Sequence, residues 1–206
     1  MNRRDAIGRV ALLMGGAVIG AEFFISGCKS GAGKVEDLFV ADNIAFLNEV
    51  ADTILPTTTS SPGAKAANVG HFMALMVQDC YWPKNQKTFL EGISKLDDAS
   101  QKKFSSKFMS LTAQQKTDLL VDLDKEQKEY TKKNANSEME DSKHRNDPDF
   151  KGPTVAPHYF RMMKELTLLG YFTSEIGATK ALRYIAVPGH YDGNVPYKKG
   201  DKAWAT

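Results

Sequence analysis

From Ile44 to about residue 184 the apolar side chains return every three or four positions, and nowhere do they sustain an alternation in twos. That periodicity leaves helices as the regular structure this chain can bury, because a half-buried strand needs every second residue on one face. Ile44, Leu47, Val50, Ala51 and Ile54 predict a helix over 42–55, with Asp42-Asn43 as capping residues and Pro56 as its stop. Thr57 to Gly63 is a loop by composition. Val69, Phe72, Met73, Met76, Val77 and Cys80 predict a second helix that closes before Trp82-Pro83, and Phe89, Leu90, Ile93 and Leu96 a third. Phe104 and Phe108, four apart, suggest a short helix of their own. Thr112-Ala113-Gln114-Gln115 has the spacing of a capping box and opens a helix through Leu119, Leu120 and Leu123 to about Tyr130. Pro157 suits the first turn of another, carried by Tyr159, Phe160, Met163, Leu166 and Leu169 to an end at Gly170. Thr173 or Ser174 then caps a last helix over roughly 174–184.

Two stretches break the pattern. Residues 131–152 are dense in charge with almost nothing apolar, which predicts a solvated loop. After Ala186, the residues Pro188, Gly189, Gly193, Pro196 and Gly200 forbid regular structure, so 186–206 reads as an extended tail. Its large aromatics, Tyr191, Tyr197 and Trp204, suit either wrapping over the chain's own helices or lying across a partner. The fold class expected is all-α: a small helical domain over 41–206 with an irregular C-terminal tail.

Chemistry is conspicuously sparse. Twenty-seven Lys and Arg against 25 Asp and Glu leave a net charge of +2, without the basic excess a phosphate backbone requires, so no nucleic-acid partner is expected. Two cysteines and four histidines make neither a disulfide framework nor the usual zinc site. No nucleophile stands beside a base, and His71, His144 and His158 lack the spacing of a two-histidine metal face. His190, in the tail, is the most interesting of the four. No Gly-x-Gly-x-x-Gly follows a strand and no Cys-x-x-Cys-His occurs, so no catalytic, metal or cofactor residue is assigned in this chain. Met73, Met76, Met162 and Met163 read as core filling.

The first 27 residues have the layout of an export signal: a charged head with Arg3 and Arg4 adjacent, then an apolar run from Val10 to Ala21 that Glu22 interrupts before it is long enough to span a bilayer. The arginine pair and the glycine-rich run resemble a twin-arginine signal, which serves proteins exported folded. Ile25-Ser26-Gly27-Cys28 looks like a lipobox, with Cys28 as the lipidated residue and 28–40 as a tether; a buried thiol ending a core helix is the bland alternative. These readings together place the mature chain in the periplasm of a Gram-negative cell, held at a membrane by its lipid. Cys80 is then the one thiol left in an oxidising compartment; burial on the apolar face of its helix is the first reading, and an intermolecular disulfide the second.

Asp52-Thr53-Ile54-Leu55-Pro56 followed by Ser61-Pro62-Gly63-Ala64, the run Leu168-Leu169-Gly170-Tyr171-Phe172-Thr173-Ser174-Glu175, the tail from Pro188-Gly189 to Trp204 and the twin-arginine start together resemble the small, third subunit of flavin-dependent gluconate 2-dehydrogenases and related sugar dehydrogenases. That resemblance implies a non-catalytic chain with a role in folding, cofactor loading or co-export of a catalytic flavoprotein; membrane attachment of the complex is read from Cys28 and not from the family. The partner would hold FAD, and a cytochrome c or another acceptor would take the electrons. It also implies partner contacts, for which Tyr171, Thr173, Ser174, Glu175, His190, Tyr191, Tyr197 and Trp204 are the candidates; core packing of Tyr171 and Phe172, a helix-dipole role for Glu175 and a structural role for His190 are the alternatives. The alternative from another class is a free-standing helical lipoprotein that binds a small ligand.

Overall fold

The computed structural model describes residues 34–187, 189–190 and 192–205. Arg3, Arg4 and Cys28, and Tyr191 in the tail, lie outside the described residues. Five α-helices appear among them: α1 (Ala41–Ile54), α2 (Val69–Cys80), α3 (Pro83–Phe104), α4 (Ala113–His144) and α5 (Tyr159–Phe172). Short 3-10 turns at Val35–Phe39, Ala64–Ala67 and Phe108–Ser110 and a π-type turn at Gly177–Ala181 join or follow them, and no strand occurs among the described residues.

The core forms where the apolar stripes meet. Leu47, Val50 and Ala51 of α1, Met73, Ala74 and Val77 of α2, Phe89 and Leu96 of α3, and Phe160, Met162, Met163 and Leu166 of α5 are all buried, as is Phe108 between α3 and α4. Helix α5 packs against each of the other four α-helices, and two of these approaches are possible only because a side chain is missing. A Cβ on Gly92 of α3 would stand 2.5 Å from Cβ of Tyr159, and one on Gly170 would stand 2.5 Å from the Phe72 ring. Gly170 therefore lies inside α5, which runs on to Phe172; its role is close packing on α2 and not the helix end that its type suggested.

Other boundaries shift for equally local reasons. Helix α1 begins at Ala41 with Val40 before it, and Asn43 Nδ2 donates back to the Asp37 carbonyl (2.8 Å) in place of capping. Pro83 opens α3, which continues to Phe104, where Ser105 turns left-handed (φ 56°) and ends it. Phe104 and Phe108 thus belong to different elements, correcting the short helix expected of them. The capping box at α4 is present: Gln115 N donates to Thr112 Oγ1 (3.3 Å) and Thr112 N to Gln115 Oε1 (3.0 Å). Pro157 precedes α5 instead of opening it, because His158 takes the capping position, its Nδ1 accepting from Phe160 N at 3.3 Å.

The main correction lies at 131–152. Residues to His144 continue α4, and the loop is confined to about 145–158. Solvation was read correctly, since most side chains there are exposed, but the backbone is helical without a buried face. Charge pairs at helical spacing replace packing: Lys143 with Glu140 (2.9 Å), and His144 with Glu140 (3.3 Å) and Asp147 (2.7 Å). Arg161 of α5 adds a bond to Glu138 at 2.8 Å, and Asp141 accepts from Thr154 N at 2.7 Å, so the segment is tied at its sides.

Candidate functional site

The loop after α1 closes on itself. Thr58 N donates to the Ser61 carbonyl (2.8 Å), Gly63 N to Thr57 Oγ1 (3.0 Å) and Ala64 N to the Leu55 carbonyl (2.9 Å). Tyr171, more than a hundred residues on, fastens this turn to α5: its hydroxyl donates to the Pro62 carbonyl and stands 2.7 Å from Ser61 Oγ. The two central motifs of the sequence therefore meet in space, joined by one phenol. Tyr171 is only 3% exposed, so its ring is core, which decides against the outward contact and for the core packing that were its two readings.

The outer side of α5 is different. Leu168, Leu169 and Phe172 are exposed at 38%, 46% and 37%, an apolar strip that the described residues leave uncovered. Leu169 was expected in the core; the run from Leu166 to Leu169 is wide enough to occupy both faces, and its excess width was the available signal. Beyond the helix, Thr173 and Glu175 are exposed and Ser174 half-buried. Thr173 Oγ1 donates to the Leu169 carbonyl (2.7 Å), and Ser174 Oγ accepts from Gly177 N (3.0 Å), serving as the cap expected of it. The helix so capped is shorter than predicted, since the π-type turn ends at Ala181.

The tail is irregular, yet its far end is fixed. Arg183 N donates to the Ala203 carbonyl and Ala205 N to the Arg183 carbonyl, both at 2.8 Å, forming an isolated parallel bridge of Arg183 with Trp204. The Arg183 guanidinium lies 4.4 Å from the centre of the Trp204 ring. Lys202 Nζ reaches the Ser60 carbonyl at 3.3 Å and also the Lys180 carbonyl, fastening the tail to the α1 loop. The chain between frames an open hollow of about 1210 Å³, lined in part by His190, Asp192, Tyr197 and Trp204. Tyr184, Ile185 and Val187 are exposed too, and Tyr197 and Trp204 are 77% and 44% exposed. His190 is exposed as well.

Elsewhere the titratable groups serve the fold. Burial pushes Asp124 up, but hydrogen bonds from Lys128, Lys164 and Gln127 outweigh it and hold its carboxyl down at about 2. Glu49 is held below the usual carboxylate range by its hydrogen bonds to Lys116 (2.7 Å) and Lys65 (2.9 Å). His158 is buried, stacked on Tyr159 with ring centres 4.5 Å apart, and depressed by that burial. His71 is exposed against the edge of Phe39, and His144 sits in its exposed pairs with Glu140 and Asp147. Cys80 is exposed, which corrects the burial first expected: the stripe of Met73 and Val77 runs on to half-buried Tyr81 as the helix ends, leaving the thiol on the outside. Among the described residues no group of three or more His, Cys, Asp or Glu could hold a metal ion, and no helix is long and apolar enough to cross a membrane.

The family model for gluconate 2-dehydrogenase subunit 3 matches residues 41–189, from the start of α1 into the tail. No curated protein and no solved structure matches the chain.

Proposed function

The chain belongs to the gluconate 2-dehydrogenase subunit 3 family, and on that premise we propose that it is the non-catalytic small subunit of a flavin-dependent sugar dehydrogenase complex. The observation that carries this reading is the uncovered apolar strip Leu168, Leu169 and Phe172, followed by exposed Tyr184, Ile185, Val187, Tyr197 and Trp204. Exposed apolar and aromatic side chains in such number are what a partner surface presents before it is covered. The occupant is the catalytic subunit, which holds FAD and oxidises a gluconate-, glucose- or glycoside-type substrate, passing electrons to a cytochrome c or a comparable acceptor. Thr173, Ser174 and Glu175 at the end of α5, and His190, Tyr191, Tyr197 and Trp204 in the tail, are the polar and aromatic contacts of that surface.

The small chain escorts the large one. A twin-arginine signal at Arg3 and Arg4 carries folded cargo, so a catalytic subunit without an address of its own crosses the membrane bound to this chain and is folded by the time it does. Lipid on Cys28 then holds the complex at the periplasmic face of a membrane.

Co-production of this chain with its flavoprotein tests the assignment. The expected result is a stoichiometric yellow complex whose dye-linked sugar oxidation belongs to the large chain, with Arg3→Lys/Arg4→Lys leaving both chains inside the cell and Cys28→Ala releasing the complex from membranes. Oxidation of gluconate or glucose by the purified small chain alone would overturn the non-catalytic role. The hollow framed by the tail favours the second reading, a lipoprotein that binds a small ligand there; a stable monomer with a saturable ligand and no flavoprotein partner would establish it instead.

A further inference from the structure

Charge is distributed unevenly along the described chain. Residues 34–179 carry more carboxylates than cations, whereas the segment from Lys180 onward has five cations, Lys180, Arg183, Lys198, Lys199 and Lys202, against two carboxylates, Asp192 and Asp201. Just over half of the body's cations pair with a carboxylate, as in Lys116 with Glu49, Lys164 with Asp124 and Arg161 with Glu138, so what sets the tail apart is its excess of cations over carboxylates. In the tail, Arg183 faces Asp201 at 3.8 Å, and Lys202 Nζ is occupied by backbone carbonyls. Lys180, Lys198 and Lys199 have no ion pair among the described residues, and Lys198 and Lys199 adjoin Tyr197, which is 77% exposed.

We propose that the tail is a preshaped basic clasp that docks on an acidic surface of the catalytic subunit, with Lys198 and Lys199 steering the encounter and Tyr197 making the apolar contact that follows. This rests on the reading of the chain as a small subunit and adds to it the charge of the surface it meets. The physical logic has two parts. Unpaired lysines on an exposed loop raise the rate of encounter with an opposite potential and lose that advantage as salt screens them. Closure of the loop at Arg183 and Trp204 limits the freedom that docking must remove, so contact by a few side chains suffices. A bilayer fits the geometry less well. The tail forms no amphipathic helix among its described residues, and Trp204 is held against Arg183 instead of being free to enter headgroups.

The test is the association rate of the full small subunit with its FAD-containing catalytic subunit, measured at low and high sodium chloride for the wild type and for Lys198→Glu/Lys199→Glu. Both positions are exposed, and unchanged circular dichroism and melting certify the fold. The wild-type rate is expected to fall about tenfold or more as salt rises, and the double variant to associate about tenfold more slowly at low salt and nearly equally at high salt. A wild-type rate indifferent to salt, with the double variant equally fast, overturns the inference while leaving the proposed function standing. Failure of the wild-type chains to form any complex takes down the proposed function, and the clasp with it. Flotation of the small subunit with phosphatidylglycerol vesicles, lost in the double variant while assembly is unaffected, would reassign the tail to lipid and also overturn it.

Discussion

Helix α5 and the second half of α4 are both regular α-helix, but they exist for opposite reasons. In α5, Phe160, Met162, Met163, Leu166 and Tyr171 are buried and the helix is held by what it packs against. From Thr131 to His144, α4 buries none of its residues; ion pairs at helical spacing and a few lateral hydrogen bonds support it. Burial and local charge pairing thus yield the same backbone with different robustness. The first cannot be removed without losing the domain. The second should melt alone, because exposed ion pairs contribute only about 0.2–1 kcal/mol each and weaken in salt.

The strongest way to break this contrast is Phe160→Ala, which empties a fully packed site beside α2 and α3. Its unfolding free energy, from urea titration, should drop by about 3–5 kcal/mol; a loss below about 1 kcal/mol would mean that α5 is not the keystone described. Tyr171→Phe removes only the hydroxyl that fastens α5 to the Ser61-Pro62 turn, and should cost about 1–2 kcal/mol. Cleavage within 57–63 by a nonspecific protease should accelerate in that variant, whereas unchanged cleavage would show the turn to be self-sufficient.

A smaller effect comes from the cap of α5. Burial holds His158 below the ordinary histidine value of 6.5, with Glu126 opposing and Lys95 reinforcing the shift. The folded chain therefore prefers the neutral ring, whose Nδ1 must accept from Phe160 N. This contribution is complete above pH 6.5 and is lost as pH falls below it. His144 has the opposite sign, since Asp147 and then Glu140 raise it, so its contribution fades as pH rises. Subtracting the pH dependence of His158→Asn from that of the wild type isolates the cap; the difference should grow toward acid, to about 1 kcal/mol. A flat difference from pH 7.5 to 5 would refute the assignment. Least disturbing to the whole should be Ala135→Pro. It should abolish the helical circular dichroism of about one segment's worth of residues, since proline costs about 3 kcal/mol in a helix interior. The global unfolding free energy should stay within about 0.5 kcal/mol of the wild type, and a larger fall would erase the distinction drawn between the two helices.

That distinction also explains which parts of the structure were legible in the sequence. Elements maintained by burial announced themselves through apolar spacing, as with Met73 and Val77 of α2, and the Thr112-Gln115 box gave the start of α4 outright. The continuation of α4 through Lys132, Glu138 and Glu140 has no such spacing, and charges four apart read as solvation before they read as helix. At the candidate surface, residue type left Tyr171 open between core packing and outward contact, because its direction depends on a turn more than a hundred residues away in the chain. Leu169 read as core beside Leu166, and the excess width of the run they share with Leu168 was the one sign that part of it would stay uncovered. The capping role of Ser174 was readable, being a purely local bond to Gly177.

The short bridge at the end of the tail has a practical corollary for anyone handling this chain. Two backbone bonds and one stacked indole convert the last twenty residues from a loose strand into a latch. Trimming even four residues ahead of Ala205 would spring it, while a reporter fused beyond that point would ride on a part already fastened.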